Sequence, residues 1–390
     1  MIAVIAGSVV GLLVLAATVI LTAGGLFVPA RYLDAWELDY HEGFDDPRLQ
    51  LVAHGILAPS GHNMQPWLVR LDPADPRVFD VFVDPERLTP AVDPLARQTL
   101  VSTGTFLEYV RVAGARLGWA VDLQLFPDGD YDESDLPGSM AARPAARVTL
   151  SPATPTEDAD YESLFRSDTN RDPYGPEPLT AVQRAALRGL ATDPGVEFDL
   201  LEGDDDRADL GDRAVRGTTI EAASVAAAEE TAAVFRSNEW QKNDAPWGFA
   251  VEGQGTSGIM RYVMQGLLTL APAINEGDAA AQRSIDLTTA EAAATPAYGI
   301  IRTAGNTRTE QIEAGMLYSR IELRARSLGL VMQPLSQVLQ EYPEMAAEYA
   351  AVHERYAPGG ETIQMLVRIG TPTRDYPVTM RRTVEDLLVG

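Results

Sequence analysis

The ten residues Ala58–Trp67, A-P-S-G-H-N-M-Q-P-W, interrupt the chain more firmly than any other stretch. They follow an apolar run, Leu49–Leu57, with the spacing of a helix. Pro59 removes a backbone donor, and Pro66 disfavours the helical conformation at Gln65. Gly61 admits positive φ, and the side chains of Ser60 and Asn63 can bond nearby backbone. The sequence therefore predicts a stiff polar turn, closed by an aromatic residue, directly after a helix. Taken alone, the turn also reads as an ordinary helix C-terminus with Trp67 in a core.

Composition narrows what such a turn can serve. The chain has 390 residues, 46% of them hydrophobic, enough for one large or two ordinary domains. It has no cysteine, which excludes thiolate chemistry and disulfides. Its four histidines, His41, His54, His62 and His353, form no metal-binding pair at helical spacing. The net charge is −25, which disfavours a nucleic-acid partner. Of 31 basic residues only Lys242 is a lysine. An anionic ligand would need a local arginine cluster to offset the acidic surface.

No charged side chain occurs before Arg31, and Ile2–Val28 is mostly apolar. That length predicts a membrane anchor over residues 1–30, retained rather than cleaved, since the basic start of a signal peptide is missing. Arg31 alone would set the direction, placing the rest in the cytoplasm as a single-pass protein.

Residues 31–46 read as a connector. A first folded half is expected over 47–150 and a second over 157–390, with the Pro/Thr-rich Ser151–Thr156 between them. Strands are predicted at Val78–Val83, Ala120–Phe126, Arg147–Leu150, Val196–Leu201, Ala297–Arg302 and Thr362–Ile369. Long helices are predicted across Asp93–Leu117 and Thr307–Leu328, and another across Asp205–Phe235. Regular βαβ alternation is missing, so the class is α+β. Both halves run helix, turn, strand, long helix, strand, which hints at a degenerate duplication.

Three further stretches concentrate polar chemistry. Phe165–Tyr174, F-R-S-D-T-N-R-D-P-Y, offers arginine forks and hydroxyls suited to phosphate. Met380–Leu388, M-R-R-T-V-E-D-L-L, places Arg381 and Arg382 before a short helix. Both clusters could equally pair with the plentiful Asp and Glu. Glu313–Leu335 reads as a core helix stopped at Gly329. The run Gly253–Gly258 matches G-x-G-x-x-G, but the segment after it is helical where a dinucleotide fold needs a strand, so a Gly-rich lid over Asp244–Gly258 is the better reading.

Together, A-P-S-G-H-N-M-Q-P-W, D-P-L-A-R-Q-T-L-V-S-T-G-T-F-L (93–107), A-G-M-L-Y-S-R-I-E-L-R-A-R-S-L-G-L (314–330), I-Q-M-L-V-R-I-G (363–370) and M-R-R-T-V-E-D-L-L resemble the FMN-binding nitroreductase family, from about residue 46 to the C-terminus. R-S-D-T-N-R-D-P-Y (166–174) resembles its Acg-type branch. The resemblance implies a mixed or antiparallel sheet flanked by helices, and two half-repeats mimicking the family's dimer as a monomeric pseudo-dimer. It implies FMN held by Pro59, Ser60, His62 and Asn63 from one half. Arg166, Thr169, Asn170, Arg171 and Arg381 or Arg382 would come from the other, with backbone at Ser336 and Gln337 facing flavin N5.

The implied activity is hydride transfer from NADH or NADPH through the flavin to a small electron-poor acceptor such as a nitroaromatic or quinone, with no catalytic side chain. The alternative is a flavin-binding or storage protein with a lid.

Overall fold

The computed structural model describes residues 2–167 and 169–390, without the side chains of 2–7 and 9. Eight strands form two four-stranded sheets. The first comprises β1 (Trp67–Leu71), β2 (Val78–Val83), β3 (Trp119–Leu125) and β4 (Ala146–Pro152); the second comprises β5 (Val196–Leu201), β6 (Ala297–Thr303), β7 (Val331–Pro334) and β8 (Thr362–Gly370). Their spatial orders are β1-β2-β4-β3 and β5-β6-β8-β7, the same order twice. Every ladder within them is antiparallel. The class is therefore α+β with two antiparallel sheets.

Each half also places one long helix between its second and third strands, Arg97–Leu117 in the first and Arg308–Ser327 in the second. The two helices cross at a pair of glycines. A Cβ on Gly104 would lie 1.9 Å from Ile312 O, and one on Gly315 would lie 1.9 Å from Val101 O. Only glycine permits so close an approach of two backbones. Arg97 strengthens the junction: fully buried, it donates to Gln364 O at 2.6 Å and Leu339 O at 2.7 Å in the second half.

The halves differ chiefly between their first two strands. A short hairpin joins β1 to β2, whereas β5 and β6 are separated by helices at Asp204–Ala223, Val225–Ala233, Glu239–Asp244, Gly258–Leu270 and Gly277–Ala293. The single helix expected over Asp205–Phe235 breaks at Ser224, whose side chain caps the next helix by accepting from Ala227 N. The second half also sends its C-terminal tail back to the first: Leu388 bridges Val69, and Val389 N donates to Val69 O. The short closing helix expected there is a 3-10 turn, Glu385–Leu387. Tyr161 and Leu164, at the start of the second half, likewise join the first half's core.

The N-terminal helix runs Ile2–Ala23. No helix among the described residues is long and apolar enough to cross a membrane. The anchor expected over residues 1–30 is thus not supported, and the part of it resting on residues 1–7 and 9 lies outside the described side chains. The C-terminal end of this helix is a protein-packing surface, with a Cβ on Gly266 only 1.9 Å from Ile20 O. The connector is likewise integral: Tyr32 and Ala35 are buried, and Trp36 Nε1 donates to Thr379 O at 2.8 Å.

Candidate functional site

The Ala58–Trp67 turn begins where the helix Pro47–Gly55 ends. Within it His62, Asn63 and Gln65 adopt left-handed φ of 51°, 52° and 50°, three of the five non-glycine residues that do so among those described. Each such residue costs about 1–2 kcal/mol, so this turn persists only because its surroundings impose it. The first long helix supplies part of the grip. Thr105 Oγ1 donates to Pro59 O at 2.6 Å, Gly61 N donates to Ser102 Oγ at 3.0 Å, and Trp67 Nε1 donates to Ser102 O at 2.9 Å. Ser60 Oγ accepts from Gln65 N at 2.9 Å, closing the turn on itself. Trp67 is fully buried beside Phe106 and belongs to the core.

The C-terminal arginine pair supplies the rest. Arg381 donates to Asn63 Oδ1 and Leu57 O, both at 3.0 Å. Arg382 donates through Nη1 to Gln65 O and Trp67 O, both at 3.1 Å, and through Nη2 to Asp386 O. Both side chains are buried. Burial, and then repulsion from Arg87, push the Arg382 pKa down to about 10. The structure thus brings Arg381 and Arg382 to the turn, where their forks meet main-chain carbonyls.

Pro246–Gly255 lies across the turn. Gln65 Nε2 donates to Pro246 O at 2.9 Å, Gly248 N donates to Asn63 O at 3.0 Å, and Phe249 packs on His62 with ring centroids 4.9 Å apart. Arg171 reaches the same strap, donating to Gly253 O at 2.7 Å. Its charge also acts on His62: burial, then Arg171, push the His62 pKa down to about 4, leaving the ring neutral at pH 7. The strap is pinned at its foot by the only lysine. Buried Lys242 donates to Glu252 Oε1 at 2.5 Å, Tyr32 OH at 2.7 Å and Glu239 Oε1 at 2.9 Å. The G-x-G-x-x-G run, Gly253–Gly258, begins within a 3-10 turn (Val251–Gln254) and not after a strand, so the phosphate-binding geometry of a dinucleotide fold is not formed.

The remaining expected residues are more scattered. Asn170 is buried, with Nδ2 donating to Arg374 O and Oδ1 accepting from Asp172 N. Arg166 and Thr169 flank it on the same partly exposed stretch, and the Arg166 carbonyl accepts from Arg326. Ser336 and Gln337 lie against the helix Asp204–Ala223, where a Cβ on Gly217 would meet Gln337 Cβ at 3.1 Å. No hydrogen bond among the described residues joins Ser336 or Gln337 to the turn.

Beside the turn lies a narrow cleft of about 10 Å³, room for about one water molecule, whose lining includes His62, Arg87, Gln98, Thr99 and Ser102. His62 Nδ1, Arg87 Nη1 and Gln98 Nε2 are buried there without a hydrogen-bond partner. Of these, Arg87 Nη1 and Gln98 Nε2 are donors that an acceptor group would satisfy. That chemistry fits the carbonyl edge or phosphate of FMN. The room is small beside pockets of roughly 300–1,000 Å³ that hold such ligands. Arg87 and Gln98 escaped the sequence reading because D-P-E-R and A-R-Q-T look like a turn and a helix start.

Comparison with known proteins places this geometry in context. No family model matches the chain. It is 28% identical over 191 residues to the "Probable NAD(P)H nitroreductase PigM" of Serratia, covering 47% of this chain and 50% of that protein. It is 30% identical over 144 residues to Rv3131 of Mycobacterium tuberculosis, covering 36% of this chain and 38% of the relative, and 28% identical over 150 residues to acg of the same species, covering 38% and 41%. The names of these last two assign an NAD(P)H nitroreductase provisionally. Among solved structures, a nitroreductase from Anabaena variabilis is 12% identical with a TM-score of 0.38 over 81% of this chain and 82% of its own. An FMN-bound nitroreductase from Desulfitobacterium hafniense is 11% identical with a TM-score of 0.33 over 60% of this chain and 99% of its own. By sequence the chain is a relative of proteins named NAD(P)H nitroreductase. It spans half or less of the length of the curated relatives it matches.

Proposed function

We infer that this chain is an FMN-dependent NAD(P)H oxidoreductase of nitroreductase type. Its two halves, 47–150 and 157–390, form a pseudo-dimer around a single site. The observation that carries the reading is the left-handed backbone at His62, Asn63 and Gln65, held in place by Arg381 and Arg382 at the edge of a cleft with unpartnered donors. Strain of that kind is kept where a site needs fixed donors.

In this reading Pro59, Ser60, His62 and Asn63 offer the turn's polar edge to the flavin ring. Arg171, with Arg166 and Thr169 beside it, offers charge to the phosphate. Asn170 orders that stretch through its own hydrogen bonds, and the backbone at Ser336–Gln337 is assigned to the N5 side by resemblance alone. Arg381 and Arg382 act by holding the turn. Neutral His62 hydrogen-bonds without adding charge. FMN, when bound, supplies hydride acceptance from NADH or NADPH and electron delivery to a small acceptor such as a nitroaromatic or quinone. No side-chain acid or base is required of the chain. The size of the cleft implies that Pro246–Gly255 moves off the turn to admit the flavin.

A second reading, flavin storage with little turnover, is favoured by the strap itself, which is tied to Asn63, Gln65 and Arg171 by hydrogen bonds. The absorbance spectrum after reconstitution with FMN tests flavin binding. Steady-state NADH or NADPH oxidation with menadione or a nitrofuran then separates the two readings. A protein that stays colourless overturns both.

A further inference from the structure

The strap Pro246–Gly255 carries one carboxylate, Glu252, and that side chain is buried. Its partners come from two directions. Lys242 Nζ, on the helix Glu239–Asp244, donates to Glu252 Oε1 at 2.5 Å, and Tyr32 OH, in the connector, donates to the same oxygen at 3.2 Å. The strap's other fastenings are weaker in kind. Its hydrogen bonds to Asn63 and Gln65 in the turn, and to the backbone of Val234 and Arg236, are between neutral groups. Arg171 and Arg374 donate to Gly253 O and Gly255 O from side chains open to solvent. Charge-assisted bonds are the stronger ones, and burial spares this one from screening, so Glu252 dominates the strap's hold.

The hold is also releasable. Lys242 donates to a second carboxylate, Glu239 Oε1, at 2.9 Å, three residues before it on the same helix. Gln265 Nε2 at 3.1 Å and Arg261 Nε at 3.4 Å face the same Glu239 oxygen. When Glu252 leaves, Lys242 keeps a carboxylate, Glu239 keeps its cations, and Glu252 passes into water. No charge is left buried and alone, so the heavy cost of breaking a buried pair by removing one partner does not arise.

Tyr32 ties this pairing to the turn. Its ring packs with Ala250 of the strap and with Met380, and its main-chain oxygen accepts from Arg381 N at 3.0 Å. Arg381 in turn holds Asn63 and Leu57. One connector residue therefore touches the strap with its side chain and, with its backbone, the arginine that grips the turn. We propose that Tyr32, Lys242 and Glu252 form a reversible clasp that keeps the strap shut over the turn, with the N-terminal connector as its fixed side. Release of Glu252 is then the step that admits the flavin; this consequence rests on the flavin reading above, and the clasp itself does not.

Hydrogen exchange read by mass spectrometry, on the full chain without added ligand, tests the clasp. Glu252→Gln keeps the shape of the side chain and removes its charge; Tyr32→Phe keeps the ring and removes the hydroxyl. Amide exchange across 246–256 is expected to quicken about tenfold or more in Glu252→Gln and about fivefold in Tyr32→Phe, the scales of a lost charged and a lost neutral hydrogen bond. Exchange in the helix Arg97–Leu117 should stay at the wild-type rate. Tyr32→Phe carries the test alone if Glu252→Gln fails to fold. Wild-type exchange across the strap in the folded variants, or equal quickening in that helix, overturns the clasp. FMN association, followed by flavin fluorescence, should quicken in parallel with strap exchange, and an unchanged association rate overturns the gating role. A chain that binds no FMN but shows the quickened strap overturns the flavin reading and leaves the clasp standing.

Discussion

The main-chain amide of Arg382 donates to Gln65 Oε1 at 2.8 Å while its guanidinium donates to Gln65 O at 3.1 Å. One residue of the C-terminal tail thus fixes both the side chain and the carbonyl of a residue in the strained turn. Arg382→Met leaves the carbonyls of Gln65, Trp67 and Asp386 without that donor. At about 1–3 kcal/mol for each buried group left unpaired, the loss should reach about 3 kcal/mol or more by urea denaturation. Arg382→Lys should recover only part of it, because an ammonium lacks the planar fork that spans three carbonyls. Unchanged stability in Arg382→Met, with weakened FMN binding, would instead make Arg382 a phosphate ligand.

Arg171 behaves differently. It donates to Gly253 O at 2.7 Å, and it is half-buried. Arg171→Ala should weaken FMN binding well beyond Arg207→Ala, an arginine paired with Asp204 at the start of a helix. Fluorescence titration of FMN compares them, and equal affinities remove Arg171 from the site.

The glycine crossing offers a sharper structural test. Gly315→Ala puts a methyl group into the space of Val101 O, and Gly104→Ala into that of Ile312 O. Neither helix can yield without parting the halves. Each variant should lose about 1–3 kcal/mol or more, the cost of overpacking, by chemical denaturation.

Lys242 should be the most costly surface-type residue to remove, because it is not on the surface. Lys242→Met strands Glu239 and Glu252, both buried, and should cost about 3–5 kcal/mol. A loss below about 1 kcal/mol, the range of exposed pairs, would contradict the burial.

Acid should destabilise the protein through its buried imidazoles. His54 is buried, with Nδ1 donating to Gln50 O at 2.8 Å and Nε2 accepting from Tyr161 OH at 3.0 Å. Burial pushes its pKa down to about 4 from 6.5. In that interval the unfolded chain binds the proton and the folded chain does not. Stability therefore falls as pH drops from about 6.5 to about 4, by roughly 3 kcal/mol for this residue, and is unaffected above it. His62, with the same lowered value, steepens the same window. Stability curves against pH for wild type and His54→Gln should differ in slope there and nowhere else.

Much of this fold could be read from the chain. The alternation in Val78–Val83 and Val196–Leu201 gave both strands at their observed limits. Helix periodicity found Arg97–Leu117 and Arg308–Ser327 within a few residues. β7 was hidden because it is four residues long, ends in Pro334 and pairs only with β8, the edge position where proline is tolerated. The duplication showed only as a repeated order of elements; the identical strand order needs pairing, which sequence does not carry. At the site, Pro66 announced the turn, but nothing in the letters H, N and Q announced three left-handed residues. A basic pair facing a phosphate and one facing carbonyls are spelled alike, so the burial of Arg381 and Arg382 could not be foreseen. Nor did the rarity of lysine show that Lys242 lies buried between two carboxylates.

Because the two glycine-crossed halves are segments of one polypeptide, their encounter is intramolecular, and no amount of dilution separates them. A turn held by arginines from the other half should therefore keep its shape at any protein concentration, where an assembly of two separate subunits would come apart.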